Sequence, residues 1–167
     1  MLEGHHLSIT GVQRIIQEPG KLVDMLRAQY SNVSIQAVNA NSVYGEEHVR
    51  GVLRIVLEAD KRKVMLTNRR ETELLVRLVG TNQIAEAIRR AGLKKDTAGC
   101  FIAFSQDGES IHQFERQIRS EFDLNDFVLK PSEDKKIRLA SMLGLTTKLD
   151  DSEFLQYLLE KAAILVR

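Results

Sequence analysis

The segment ETELLVRLVGTNQIAEAIRRAG, residues Glu71–Gly92, predicts two short helices joined by almost no loop. Leucines line one side of the first helix at Leu74, Leu75 and Leu78. The second helix has apolar residues at helical spacing: Ile84, Ala87, Ile88 and Ala91. Gly80 is expected to end the first helix and Gly92 the second, because glycine adopts the left-handed C′ conformation at little cost.

The corner between these two helices is polar and surrounded by positive charge. Thr81, Asn82 and Gln83 lie at a helix start, where unpaired N–H groups carry a partial positive charge. The cationic residues that flank the corner are Arg69, Arg70, Arg77, Arg89, Arg90, Lys94 and Lys95. Such a corner suits a phosphate or a nucleotide end. An ordinary solvated helix face fits the sequence equally well, since Glu73 precedes Arg77 by four residues and favours an ion pair.

Composition indicates an ordinary soluble protein. A length of 167 residues predicts one domain, residues 1–167, with about 70 % of the unfolded surface buried on folding. The formal net charge is +1, so any nucleic-acid contact requires a local basic patch. The single cysteine, Cys100, excludes an internal disulfide framework and favours a reducing, cytoplasmic location. No apolar stretch is long enough to cross a membrane.

The pattern along the chain predicts an α/β fold, a compact domain with a small mixed sheet of about four strands and about seven flanking helices. The predicted strands are Leu7–Ile9, Asn32–Asn39, Thr97–Ser105 and Phe127–Leu129. The third of these is a near-continuous apolar run, which is typical of a strand buried on both faces. Helices alternate irregularly with the strands and outnumber them, so the sheet is expected to be covered by helices.

Catalytic and metal-binding motifs fail at each standard test. The sequence has no GxxxxGK[ST] loop, no GxGxxG and no GxSxG elbow. Cys100 lies in an apolar run, which indicates a buried thiol rather than a nucleophile. His5 and His6 lie near the N-terminus without further ligands, so neither a metal nor another cofactor is expected.

One histidine invites a second interpretation. Asn39 ends a predicted strand, and His48 follows it at the start of the next helix. Segments after strand ends commonly bind ligands in α/β folds, so these two residues mark a candidate pocket for a small hydrolase. The competing interpretation is that His48 occupies the first helical turn and hydrogen-bonds locally.

The last predicted helix has an unusually wide apolar surface. Its apolar residues include Phe154, Leu155, Tyr157, Leu158, Leu159, Ala162, Ala163, Ile164, Leu165 and Val166. A helix packed on one side needs an apolar arc of about 100° or somewhat more. The wider arc indicates either deep burial or contact with another protein, and a terminal helix favours the second.

Three blocks of the sequence resemble one known family. They are IQAVNANSVYGEEHVRGVL from Ile35, ETELLVRLVGTNQIAEAIRRAG from Glu71, and LLEKAAILV from Leu158. Together they resemble the kinase-binding subunit of the KEOPS (EKC) complex, the TPRKB family, over almost the whole chain. Asn82 departs from the family pattern, since many members carry a basic residue there.

The resemblance implies a non-enzymatic, regulatory subunit with an α/β fold. Members of the family bind the small lobe of a RIO-like kinase/ATPase and stimulate it. Their complex supports tRNA processing by threonylcarbamoyl-adenosine formation, and archaeal members are linked to the 3′ CCA end of tRNA. A structural adaptor that makes no RNA contact is the alternative within this class.

The residue patterns, taken together with the resemblance, assign the two surfaces to partners. The implied tRNA-binding residues are those of the polar corner and its cations: Arg69, Arg70, Arg77, Thr81, Asn82, Gln83, Arg89, Arg90, Lys94 and Lys95. The implied kinase-binding residues lie in the C-terminal helices: Ile137, Met142, Leu155, Leu159, Ala163 and Val166.

Overall fold

Three strands and seven α-helices make up the structure, a computed structural model that describes residues 1–167. The strands are β1 (His6–Val12), β2 (Ser34–Asn39) and β3 (Gly99–Ser105). The helices are α1 (Pro19–Gln29), α2 (Glu46–Lys61), α3 (Arg70–Val79), α4 (Ile84–Ala91), α5 (Gly108–Glu121), α6 (Glu133–Met142) and α7 (Asp151–Ala163). Short 3₁₀ helices span Ala40–Ser42 and Asp126–Leu129. The predicted α/β class is therefore confirmed.

The sheet has the order β1-β3-β2, with both strand pairs antiparallel. Every residue of β3 is buried, as its continuous apolar sequence predicts. The prediction of a fourth strand at Phe127–Leu129 was wrong, and so was that of a mixed sheet. The Asn125 side chain accepts a hydrogen bond from the Phe127 N–H at 3.1 Å. This bond favours a turn, and Asp126–Leu129 forms a 3₁₀ helix instead of a strand.

Contacts divide the chain into two compact units. The sheet unit comprises Met1–Ala40 and Gly92–Val128, and the helical unit comprises Asn41–Ala91 and Leu129–Arg167. The single domain expected for residues 1–167 therefore stays a prediction, and each unit is described by itself below.

In the sheet unit, α1 and α5 supply apolar residues to a core built on β2 and β3. Leu26 of α1, Phe101 of β3 and Phe114 of α5 are all fully buried there. α1 begins after Glu18, whose carboxylate accepts hydrogen bonds from two backbone N–H groups of the first turn. Asp107 caps α5 in the same way. These caps fix the two helices that complete the sheet's core.

In the helical unit, α7 packs against α2 and α3. α2 carries a glycine, Gly51, at its closest approach to α7, where an added Cβ would lie 2.5 Å from Cδ2 of Leu159. A helical glycine costs up to about 1 kcal/mol relative to alanine, so the close fit of Leu159 explains its presence. Asp150 and Glu153 form a capping box that starts α7.

A buried ion pair lies at the centre of the helical unit. Nε of Arg77 donates to Oε1 of Glu73 at 2.7 Å, and these side chains are only 4 % and 0 % exposed. The other carboxylate oxygen of Glu73 accepts hydrogen bonds from the backbone N–H and the hydroxyl of Thr67. Nη1 of Arg77 donates to the Ala162 carbonyl near the end of α7 at 2.7 Å. One ion pair therefore joins α3, the segment before it and the last turn of α7.

We expect Arg77→Met to destabilise the protein by about 3–5 kcal/mol, because it leaves the Glu73 carboxylate buried without its partner. The double variant Glu73→Gln/Arg77→Met should recover much of that loss, since no buried charge remains. Urea unfolding followed by circular dichroism measures both values. A single variant as stable as the parent would contradict the role given to the pair.

Candidate functional site

The predicted polar corner is present between α3 and α4. Gly80 ends α3 with a φ of 78°, a left-handed conformation that L side chains rarely adopt. The Thr81 hydroxyl accepts a hydrogen bond from the Gln83 N–H at 3.2 Å, and α4 begins at Ile84. Asn82 and Gln83 are exposed, and Nδ2 of Asn82 donates to the Val166 carbonyl at 3.2 Å. The corner therefore presents amide groups and touches the C-terminal segment.

Five of the seven expected cations lie within 4.0 Å of a carboxylate of the helical unit, and two of them, Arg77 and Arg70, are held closely by a carboxylate that is largely buried. Arg77 is buried in the ion pair with Glu73, so its expected phosphate contact is replaced by a structural role. Arg70 binds Asp60 through Nε at 2.7 Å, and this contact is the main reason that the pKa of Asp60 is lowered. Arg70 remains partly exposed, but its charge is largely balanced.

The other cations reach solvent. Arg69 is well exposed and lies 4.0 Å from Glu71, which is a weak pairing. Arg89 and Arg90 both donate to Glu86, and these hydrogen bonds lower the pKa of Glu86 to about 2. One carboxylate thus faces two guanidinium groups, and α4 keeps a positive excess. Lys94 and Lys95 are exposed but belong to the sheet unit.

The apolar pattern of α4 misled the sequence interpretation. Ala87 and Ala91 are fully buried, but Ile84 is 45 % exposed and Ile88 is 55 % exposed. Two alanines satisfy the inner side of this eight-residue helix, so both isoleucines lie on its outer side. The corner therefore includes apolar surface beside its amides and cations, which the predicted set of residues missed.

The wide apolar arc of α7 is only partly covered. Phe154, Leu158 and Ala162 are buried, whereas Leu155 and Leu159 are half-buried. α7 ends at Ala163, which is exposed, so Val166 lies in the segment after the helix with 73 % of its surface exposed. On α6, Ile137 is 61 % exposed and Met142 is half-buried. The deeply buried alternative for this helix is thus excluded.

Asn39 and His48 belong to different units. Nδ2 of Asn39 donates to the Gly92 carbonyl at 3.4 Å. His48 is completely buried, and its Nδ1 accepts a hydrogen bond from the Tyr44 N–H at 3.1 Å. Its Nε2 has no partner. Burial, helped by the charge of Lys135, lowers the pKa of His48 to about 4. The ring is therefore neutral and inaccessible, as the local hydrogen-bonding interpretation predicts.

A family model described as "Kinase binding protein CGI-121" matches residues 14–155. This match covers most of the chain and includes the corner, α2 and the start of α7. The chain belongs to this family of kinase-binding proteins. This match confirms the resemblance to the kinase-binding subunit of KEOPS that the sequence blocks indicated. Comparison with curated proteins gave no significant match.

Membership in the CGI-121 family gives the chain a kinase partner. The structure also bears on membrane insertion and on metal binding. None of its helices combines the length and the apolar character needed to span a bilayer. No three or more His, Cys, Asp or Glu side chains among its 167 residues are grouped so that they could hold a metal ion.

The buried His48 generates a prediction about acid stability. Its pKa is about 4 when folded and 6.5 as the ordinary value, so the unfolded chain binds a proton at higher pH than the native one. The contribution of His48 to the free energy of unfolding is fully present above pH 6.5. It should fall by about 3 kcal/mol as the pH drops toward 4. Protonation would also break the hydrogen bond that Nδ1 accepts from Tyr44. Urea unfolding at stepped pH values measures this change.

His48→Asn is the matched control, because the Asn oxygen can accept the same hydrogen bond and does not titrate. Its unfolding free energy should vary little between pH 6.5 and 5. The same slope in both proteins would show that another group causes the pH dependence.

Proposed function

We propose that this chain is a non-catalytic subunit of the KEOPS complex that binds and stimulates its RIO-like kinase/ATPase and captures the 3′ CCA end of tRNA. In this role it supports threonylcarbamoyl-adenosine formation without making or breaking a bond itself. The match of residues 14–155 to a kinase-binding family carries the first half of the proposal. The polar and cationic corner supports the second half.

The proposed kinase-docking surface consists of the exposed apolar residues of α6, α7 and the segment after α7. Ile137, Ala163 and Val166 face solvent, and Leu155 is half-buried. An interface of this kind gains free energy by removing exposed apolar area from water, at roughly 25 cal/mol per Å². Leu159 contributes less directly, because it fits against Gly51 of α2 and positions α7.

The proposed tRNA contact uses the exposed part of the corner. An unpaired nucleotide end is held by charge on its phosphates and by polar and planar contacts to its bases. Arg69 and Arg89 are the most exposed arginines of the corner, and Gln83 offers an amide for a base edge. Ile84 and Ile88 offer apolar surface on which a base can pack. Arg77 is left out of this surface because it is buried.

The burial of His48 argues against the hydrolase alternative, which depends on this residue. A general base must come within hydrogen-bond reach of the proton that it removes. His48 has no exposed surface, and its Nδ1 is engaged with the Tyr44 N–H. A binding subunit therefore fits the geometry better than an enzyme that uses this histidine.

Ile137→Glu combined with Val166→Glu should weaken kinase binding at least tenfold. Both side chains are mostly exposed in the free protein, so the carboxylates cost little there but lose their hydration at an interface. Biolayer interferometry with the purified kinase measures the affinity. Ile16→Glu, at an exposed isoleucine of the sheet unit, is the control and should bind normally. Parental affinity in the double variant would place the docking surface elsewhere.

Arg69→Glu combined with Arg89→Glu should weaken tRNA binding and lower its salt dependence. Loss of two phosphate contacts to a single strand should reduce the slope of log K against log salt by about 1.4. Filter binding at stepped salt concentrations measures the affinity and the slope. The control Arg116→Glu/Arg119→Glu makes the same charge change on α5 and should leave both unchanged.

The same assay with tRNA lacking its CCA end separates capture of the end from general attraction. We expect at least tenfold weaker binding of the shortened tRNA. Equal binding of both RNAs would contradict capture of the end, and no binding of either would favour the structural adaptor.

A further inference from the structure

A cavity of about 800 Å³ lies in the helical unit between the second half of α2, the segment that follows it and the C-terminal segment. This volume is in the upper part of the range for ligand pockets. Its floor is aliphatic and includes the half-buried Ile55, Leu66 and Leu165, with the exposed Val64 beside them. Ala163 and Val166 of the proposed docking surface form part of its wall, so cavity and docking surface are continuous.

The rim of this cavity is cationic. Arg54, Arg62, Lys63 and Arg167 line it, beside a single carboxylate, Glu58. Arg62 binds Glu58 at 2.6 Å and Lys63 lies 3.5 Å from Asp60, which leaves an excess of two positive charges. Arg54 is exposed and makes no ion pair. The only other cation in the lining, Arg77, is already neutralised by Glu73.

We propose that this cavity receives an acidic segment of the kinase partner that carries apolar anchor residues. The inference rests on the proposed docking surface and adds to it the chemistry of the partner's element. Apolar side chains would fill the aliphatic floor, and carboxylates would pair with Arg54 and Lys63 at the rim. Charge complementarity of this kind sets orientation and speeds association.

The lining distinguishes a peptide from an unpaired nucleotide end. Bases bind single-strand sites mainly by stacking on aromatic rings. No Phe, Tyr or His contributes to this cavity, and its apolar lining consists of Ile, Val, Leu and Ala side chains. Branched aliphatic pockets suit the side chains of a docked peptide. The cavity therefore suits a peptide segment of the kinase better than it suits an RNA base.

Carbodiimide cross-linking of the intact chain with its purified kinase tests the inference. This reagent joins a lysine amine directly to a carboxylate that lies against it, and mass spectrometry identifies both residues. We expect Lys63 to be joined to an Asp or Glu of the kinase. Abundant cross-links from other lysines of the chain with none from Lys63 would overturn the proposal.

Affinity measurements provide the second test. Arg54→Glu should weaken kinase binding at least tenfold and reduce its dependence on salt, whereas Arg54→Lys should stay within threefold of the parent. Lys63→Glu should behave like Arg54→Glu. Arg119→Glu on α5 is the charge-matched control and should bind as the parent does.

The outcomes separate this inference from the proposed function. If Val166→Glu abolishes kinase binding and Arg54→Glu leaves it unchanged, the docking surface stands and the acidic segment is refuted. If neither change affects kinase binding, the docking surface itself is wrong. If Arg54→Glu weakens tRNA binding but leaves kinase binding intact, the cavity belongs to the nucleic acid and the proposal is overturned.

Discussion

The ion pair between Glu73 and Arg77 is the interaction on which the functional part of the molecule depends. Both side chains are almost completely buried, and their hydrogen bonds reach the segment before α3 and the last turn of α7. Two charges in such a place are costly unless each is well paired. Here the carboxylate also holds Thr67, and the guanidinium also holds the Ala162 carbonyl. The pair therefore sets where α7 ends relative to α3.

The position of that helix end determines what the protein presents to its partners. Beyond Ala163 the chain leaves the helix, and its last residues form one wall of the cationic cavity. The same segment touches the corner between α3 and α4 through Asn82. The apolar surface, the cavity and the polar corner thus share one short stretch of backbone. Under the proposed function, the kinase and the RNA end would bind on either side of this stretch.

Sequence reasoning was most successful where a local pattern is sufficient. The continuous apolar run of β3 and the glycine between α3 and α4 both predicted the observed structure. The prediction of a fourth strand failed because the Asn125 side chain accepts a hydrogen bond from the Phe127 N–H and the chain forms a 3₁₀ helix there. Asn125 and Asp126 are residue types that favour such a turn, and the strand prediction did not take them into account.

The candidate site was predicted less completely, for a related reason. The spacing of Glu73 and Arg77 correctly suggests an ion pair, but only tertiary packing shows that the pair is buried. Periodicity likewise groups Ile84 and Ile88 with Ala87, whereas the structure buries only the alanine. The wide apolar arc of the last predicted helix correctly indicated that not all of its apolar residues are buried in the core. Burial depends on neighbours that are distant in sequence, so residue spacing alone cannot assign it.

Hydrogen–deuterium exchange of the intact chain, measured alone, with kinase and with tRNA, tests most directly that two different surfaces bind two partners. Kinase should slow exchange in the second half of α2 and the last turn of α7, and leave the start of α4 unchanged. Transfer RNA should slow exchange at Gln83 and the first turn of α4, and leave α7 unchanged. Protection of the same segments by both partners, or protection confined to the sheet unit, would contradict the separation of the two surfaces.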